Sequence, residues 1–204
     1  VILANVFDQN VTALAAGLGV GGVAVALASK ESLENLLGSF TIFLDKPFQV
    51  GDIITIGNIT GKVEKVGFRS TRVRTFDKSV VTVPNKNLVI AELDNLGVRP
   101  VRRVKINIGL TYSTTVNQIK EIVDDIQKLI DDHEQTNQDG KVRFLNFGAS
   151  SLDVMVLYYV NSPDWDILVD TQQEINFKII EIVKKHGSDF AFPTTSVYLE
   201  NQNK

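Results

Sequence analysis

The stretch from Val11 to Ser29, VTALAAGLGVGGVAVALAS, holds no charged residue and constrains the chain more than any other part of it. With Gln9 and Asn10 before it, it is long enough to cross the roughly 30 Å hydrocarbon layer that about 20 helical residues span. More than half of the residues from Ala13 to Ala28 are Gly or Ala. As a helix in water such a run is poor, because each of Gly17, Gly19, Gly21 and Gly22 costs about 1 kcal/mol relative to Ala. In a bilayer the compensation is close backbone approach: small residues let helices pack tightly where lipid and side chains are equally apolar.

The positions sort by face. At about 100° per residue, Ala16, Val20, Val23 and Leu27 form one stripe, with Gly19, Gly22 and Ala26 on one flank and Ala24 and Ala28 on the other. Leu14, Leu18 and Val25 point away. Two smooth flanks, a narrow bulky stripe and a bulky back suit a pore-lining helix in a ring of identical copies. A dimer helix needs only one smooth flank. Two other readings compete. One is a buried helix of a soluble protein. The other is a Rossmann-type dinucleotide-binding protein, because Gly17, Gly19 and Gly22 spell G-x-G-x-x-G and Asp45 follows SFTIFL. The latter needs a β-branched strand before Gly17, where TALAA is Ala-rich, and further βα units after Asp45, where short strands crowd instead.

At 204 residues the chain has room for one or two domains with real cores, and its net charge of −3 argues against a nucleic-acid protein in bulk. Without Cys it has no disulfide framework and no thiolate metal site. No charged leader precedes the apolar run, so a signal peptide is not expected, and a lone membrane helix at the start leads us to expect further helices upstream.

After Ser29 the sequence turns polar at Lys30-Glu31-Ser32 and resumes as LENLLGSFTIFL, with Leu33, Leu36, Leu37 and Phe40 at helical spacing. A break near residues 30–39, as a kink or a loop, would divide the segment 1–47 into two halves, the second amphipathic and lying along the membrane surface. Lys30 and Glu34 stand at i, i+4, and Pro47 stops any helix. Lys30, Lys46 and the later arginines favour the cytoplasmic side.

From residue 48 to 97 short strands dominate: IITI and ITGKVEKV joined by Gly57-Asn58, then FRSTRVRT and SVVTV joined by Phe76-Asp77-Lys78. Their density predicts a small barrel. Arg69, Arg72 and Arg74 cluster there, raising a soluble RNA-binding scaffold as an alternative, yet only Phe68 and Phe76 are near for base stacking. From 98 to 192 the order reads strand, helix, strand, strand, helix, strand, a ferredoxin-like pattern. Thr115 and Gln118 form a capping box for a helix whose inner face is Val116, Ile119, Val123, Ile126 and Ile130. LDVMVLYYV places Val154, Val156, Tyr158 and Val160 on one side, and SVYLE is the last strand. His133 and His186 fall near helix ends, where capping or solvent exposure is expected rather than ligation. The carboxylate pairs lack calcium-loop spacing, and no nucleophile elbow or H-E-x-x-H occurs. No catalytic site, metal or cofactor is expected, so the chain reads as a non-enzyme.

With the small-residue helix, Lys46-Pro47-Phe48, Gly51-Asp52, Val83-Pro84-Asn85 and Gly148-Ala149-Ser150-Ser151 in this order, the sequence resembles the small-conductance mechanosensitive channel (MscS-like) family. The likeness covers nearly the whole chain, and the ending from His186-Gly187 to Phe190-Ala191-Phe192-Pro193 looks like that of larger bacterial members with extra membrane helices. The resemblance implies a membrane α + β protein: a pore-lining transmembrane helix, an Sm-like β barrel, a ferredoxin-like α/β domain, and a C-terminal strand and tail over 193–204 that joins an oligomeric β barrel. It implies a homoheptamer in the bacterial inner membrane, multi-pass, with the β and α/β domains cytoplasmic. Such a channel opens under bilayer tension and releases ions and small solutes on hypo-osmotic shock, with membrane lipids as partners and no nucleic acid. Its constriction residues fall on Val23 and Leu27, and its helix-packing knobs and grooves on Gly19, Gly22, Ala24 and Ala26. Where the family has its kink glycine this chain has Glu31 after Lys30, and where it has a second hinge glycine this chain has Ser39 after Gly38. The resemblance therefore implies a kink or pore mouth around these four residues, with Lys30 as a charged ring and Val23 as a wider constriction than Leu gives.

Overall fold

A computed structural model describes residues 11–195 of the chain. Helix α1 spans Val11–Asp45 and ends where Lys46 takes a positive φ of 47° ahead of Pro47. It runs unbroken through residues 30–39, so no loop divides it there. No proline interrupts that span, and its polar side chains turn back onto the helix instead of competing with it. Asn35 Nδ2 donates to the Glu31 carbonyl (2.9 Å), Ser39 Oγ to Leu36 (2.8 Å) and Thr41 Oγ1 to Leu37 (3.2 Å). Lys30 and Glu34 lie 3.8 Å apart as the i, i+4 spacing predicts.

Strands β1 (Ile53–Ile56), β2 (Ile59–Val66), β3 (Ser70–Thr75) and β4 (Val80–Pro84), the short helix α2 (Asn85–Ile90) and strand β5 (Leu93–Asn95) follow. Ile56 pairs with Ile59 across the two-residue turn, where Gly57 adopts φ 53°, as a primed hairpin requires. The sheet order is β4-β3-β2-β1-β5. Here the structure corrects the sequence reading: among the described residues the edge strands β4 and β5 do not pair, so the sheet is open and no barrel closes. The reason lies in what covers its apolar face. Ile42 of α1, Phe48 and Leu88 of α2 pack with Ile54, Ile56, Val63, Val73 and Val83, so helices bury the side chains that a barrel would bury against itself.

The chain divides into two compact units, the first ending at Val98 and the second beginning at Arg99. The second contains β6 (Arg102–Leu110), α3 (Val116–Asp132), β7 (Lys141–Phe147), β8 (Leu152–Val160) and α4 (Trp165–Lys185). Its described strands form an open antiparallel sheet of order β6-β8-β7, with β6 and β8 paired from Arg102 opposite Val160 to Leu110 opposite Leu152. The expected last strand, SVYLE, lies outside the described residues, and with it the strand assigned to an oligomeric barrel.

Local signals act as the sequence predicts. The Thr115–Gln118 capping box is present in both directions, and Asp164 caps α4 by accepting from the Asp166 and Ile167 amides. Leu152, Val154, Val156, Tyr158 and Val160 are all buried on one side of β8. The inner face of α3 needs one correction. Ile119, Ile122, Ile126 and Ile130 are buried, whereas Val116 is 66% exposed. The buried stripe begins at Ile119, one turn later than expected. Of the two outcomes expected for the histidines, capping is the one found: His133 and His186 are the C-cap residues of α3 and α4, their side chains only 7% and 14% exposed.

The two α3 positions separate by experiment. Ile122→Ala should destabilise the protein by about 2–5 kcal/mol and Val116→Ala by less than about 0.5 kcal/mol, measured by denaturant unfolding monitored with the fluorescence of Trp165.

Candidate functional site

From Ala13 to Leu33 every residue of α1 is exposed in the isolated chain, Val23 at 60% and Leu27 at 69% among them. The buried-soluble-helix reading fails on this, because a core helix hides one face inside its own chain. The glycines make the same point independently. A Cβ added at Gly17, Gly19, Gly21 or Gly22 would meet nothing within 4 Å. Four residues that weaken a helix therefore gain nothing from their own chain, and close packing can come only from outside it. The G-x-G-x-x-G pattern lies inside the helix with no loop to cradle a phosphate. Val23 and Leu27 share a stripe flanked by Gly19, Gly22 and Ala26 on one side and Ala24 on the other.

The downstream part of α1 is built differently. Leu33, Leu37 and Phe40 are each more than half exposed, while Asn35, Gly38 and Ile42 are buried. The face that meets the rest of the first unit is thus small and polar at Asn35 and Gly38 and apolar at Ile42, while Leu33, Leu37 and Phe40 look outward. Gly38 is the contact point: a Cβ there would lie 3.0 Å from the Asn85 carbonyl carbon and the Lys86 nitrogen. Its glycine is required by the close approach of α2.

Around that contact runs a polar chain. Helix α2 starts at Pro84, which offers no side-chain cap. Asn35 of α1 supplies one from across the contact, its Oδ1 accepting from the Lys86 amide at 3.1 Å. Lys86 Nζ donates to Glu34 Oε2 at 2.7 Å, and that hydrogen bond, with the carboxylate charge, holds the Lys86 ammonium above its usual range. Asn85 is fully buried; its Oδ1 accepts from Thr71 Oγ1 (2.9 Å) and its Nδ2 donates to the Gly67 carbonyl (2.7 Å). Hydrogen bonds thus link α1 at Asn35 through α2 to β3 and the β2–β3 loop. The sequence reading missed Asn35, whose signal was a small-polar stripe, Asn35-Gly38-Ile42, at helical spacing.

Beside this contact the end of α1 and the β2–β3 region enclose an open cleft of about 630 Å³, lined by Phe40, Phe43, Phe48 and Phe68 with Lys46 and Lys65. Of the arginine cluster, Arg74 is committed to Glu64 and to the Lys78 carbonyl. No group of His, Cys, Asp and Glu able to hold a metal occurs among the described residues.

Comparison with known proteins places this geometry. Residues 31–97 match the family model described as mechanosensitive ion channel, beta-domain, and residues 104–190 match that described as mechanosensitive ion channel MscS, C-terminal. An uncharacterized MscS family protein of Aquifex aeolicus is 43% identical over 197 residues, which is 96% of this chain and 54% of that protein. The small-conductance mechanosensitive channel MscMJ of Methanocaldococcus jannaschii is 42% identical over 194 residues, 95% of this chain and 55% of the relative. The chain thus spans about half the length of these relatives. Among solved structures, Arabidopsis thaliana MSL1 superposes with a TM-score of 0.82 at 25% identity, over 94% of this chain and 69% of that one.

The anchorage can be measured directly. Asn35→Ala should loosen α2 by roughly 1–2 kcal/mol, the value of a lost N-cap, and Gly38→Val should do at least as much, because its neighbours are backbone atoms that cannot swing aside. Glu34→Gln should cost less than either, since that pair is partly solvated and screened. Hydrogen exchange of the α2 amides in detergent-solubilised protein reads all three.

Proposed function

This chain belongs to the MscS family of mechanosensitive ion channels, and from that premise we propose that it forms the tension-gated pore of a homo-oligomeric membrane channel. The observation that carries the proposal is the exposed stretch of α1 from Ala13 to Leu33, with four glycines at which an added Cβ would meet nothing within 4 Å among the described residues. Several copies around an axis cover those flanks. Val23 and Leu27 then face the lumen as two rings, Gly19 and Gly22 with Ala24 and Ala26 form the sliding contacts, and Lys30 with Glu31 stands at the inner mouth. Gly38 and Ser39, beside the α2 contact, are where α1 bends if the gate moves while its anchorage stays fixed. The rings act as a hydrophobic constriction that excludes ions by dewetting, without a plug.

Tension favours the state with the larger membrane area, and only the difference between states counts. The Asn35–Lys86 and Asn85–Thr71 contacts support this reading, since they give the gate helix a fixed point at its cytoplasmic end. Seven copies, a multi-pass subunit in the bacterial inner membrane, cytoplasmic β and α/β domains, and release of ions and small solutes on hypo-osmotic shock complete the proposal. It uses a working division of the chain at 1–47, 48–97, 98–192 and 193–204. Lys30 and Lys46 around the downstream part of α1 favour the cytoplasmic side. The phenylalanine-lined cleft with Lys46 and Lys65 suits lipid contact, apolar for acyl chains and cationic for a headgroup.

Replacing Val23 or Leu27 with Ser should let the constriction wet, giving leaky channels or a lower opening tension in patch recordings; an unmoved threshold removes both residues from the gate. A bulkier residue at Gly22 or Ala24 should wedge the flanks apart and impair opening, and unaltered gating rejects their packing role.

A further inference from the structure

The second unit carries two histidines that bridge the same helix pair at different points, and their hydrogen-bonding partners differ in kind. His133 follows α3 and reaches α4: its Nε2 lies 3.4 Å from Glu174 Oε2, while its Nδ1 accepts from the Gln135 amide at 3.1 Å. A neutral ring, with one N–H and one lone pair, satisfies both contacts. His186 follows α4 and reaches α3, where its Nδ1 lies 3.1 Å from Glu121 Oε2 and its Nε2 lies 2.9 Å from Asp125 Oδ2. Both of its nitrogens face carboxylate oxygens, and only the imidazolium has two N–H groups to give. The neutral ring must turn a lone pair toward one of the two carboxylates.

We propose that His186 is a proton-operated clasp that holds the end of α4, and the chain that leaves it, against α3. With the ring protonated, both bridges form. When it loses its proton one bridge is replaced by repulsion between a lone pair and a carboxylate, and the exit of α4 loosens.

What the clasp holds is specific. The chain turns at Gly187, φ 65°, and Gln118 Nε2 on α3 donates to the His186 and Gly187 carbonyls at 2.8 and 3.3 Å. Ser188 Oγ meets Thr114 Oγ1 at 2.8 Å, Phe190 bridges Leu110 at the end of β6, and the Ala191 amide donates to the Gly109 carbonyl at 2.8 Å. The segment from Gly187 to Thr195 is thus laid along the β6 end of the unit, starting at the histidine.

The charged groups that face His186 are Glu121 and Asp125 of α3, with Lys185 of α4 sharing Asp125 at 2.9 Å. The hydrogen bonds from His186 and then Lys185 hold the Asp125 carboxyl below its usual range. Its contribution is therefore present above the ordinary aspartate range and is lost only in strong acid. The histidine bridges run the other way, present when the ring is charged and lost when it gives up its proton.

Hydrogen exchange of the detergent-solubilised channel at pH 6 and pH 8, corrected for the intrinsic pH dependence of exchange, tests this. The amides of residues 187–195 should exchange at least about tenfold faster at pH 8, the effect of losing one hydrogen bond to a charged partner. In His186→Gln the difference should vanish, with exchange at the faster level at both pH values. Asp125→Asn should also abolish it, and His133→Gln should retain it. A wild-type segment indifferent to pH, or a pH difference that survives in both His186→Gln and Asp125→Asn, overturns the proposal.

Discussion

The structure depends on one helix serving two environments at once. Along its first part α1 offers apolar side chains and bare backbone that stay exposed among the described residues. Along its last part it is pinned by the Gly38 approach, the Asn35 cap on α2 and the burial of Ile42 in the core of the first unit. The two requirements are compatible because the helix does not break between them. A rigid rod fixed at one end transmits movement from the other; a rod with a loop in its middle does not.

Close contact at Gly38 costs helix propensity, and the polar groups around it recover stability by being fully paired. Asn35, Asn85 and Thr71 are buried, and each has its side-chain partner within hydrogen-bond distance. Had any of them been left unpaired, the same burial would have been destabilising by about 1–3 kcal/mol. The contact is therefore specific: an apolar substitute could fill the space but could not cap α2. In the second unit the corresponding element is the α3–α4 pair, packed on the sheet through isoleucines and bridged at its periphery by histidine–carboxylate contacts.

Much of the fold was legible because it is set by local chemistry. The Gly57-Asn58 hairpin, the Thr115–Gln118 capping box, the stop at Lys46-Pro47 and the alternation along β8 each depend on neighbours within a few residues, and each appears where the residues indicate. The reading failed where the answer depended on what lies across a contact. Strand density suggested a closed barrel, but closure depends on whether the apolar face is already covered, and α1 and α2 cover it. The close contact at Gly38 was hidden in the same way: nothing near it in sequence revealed that the backbone of α2 lies 3.0 Å from where its Cβ would be.

The sequence by itself determined the character of α1: an uncharged, glycine-rich run with a Val23–Leu27 stripe and smooth flanks, a property of side-chain type and helical period that folding cannot change. It also determined the order of strands and helices, through turn and cap residues. Only the tertiary structure decided which part of that helix is anchored and which is left bare, that its sheet stays open, and that His186 meets two carboxylates. Those outcomes are set by distances between residues far apart in the chain, such as Asn35 and Lys86 or Asp125 and His186, and packing fixes such distances only once every element is in place.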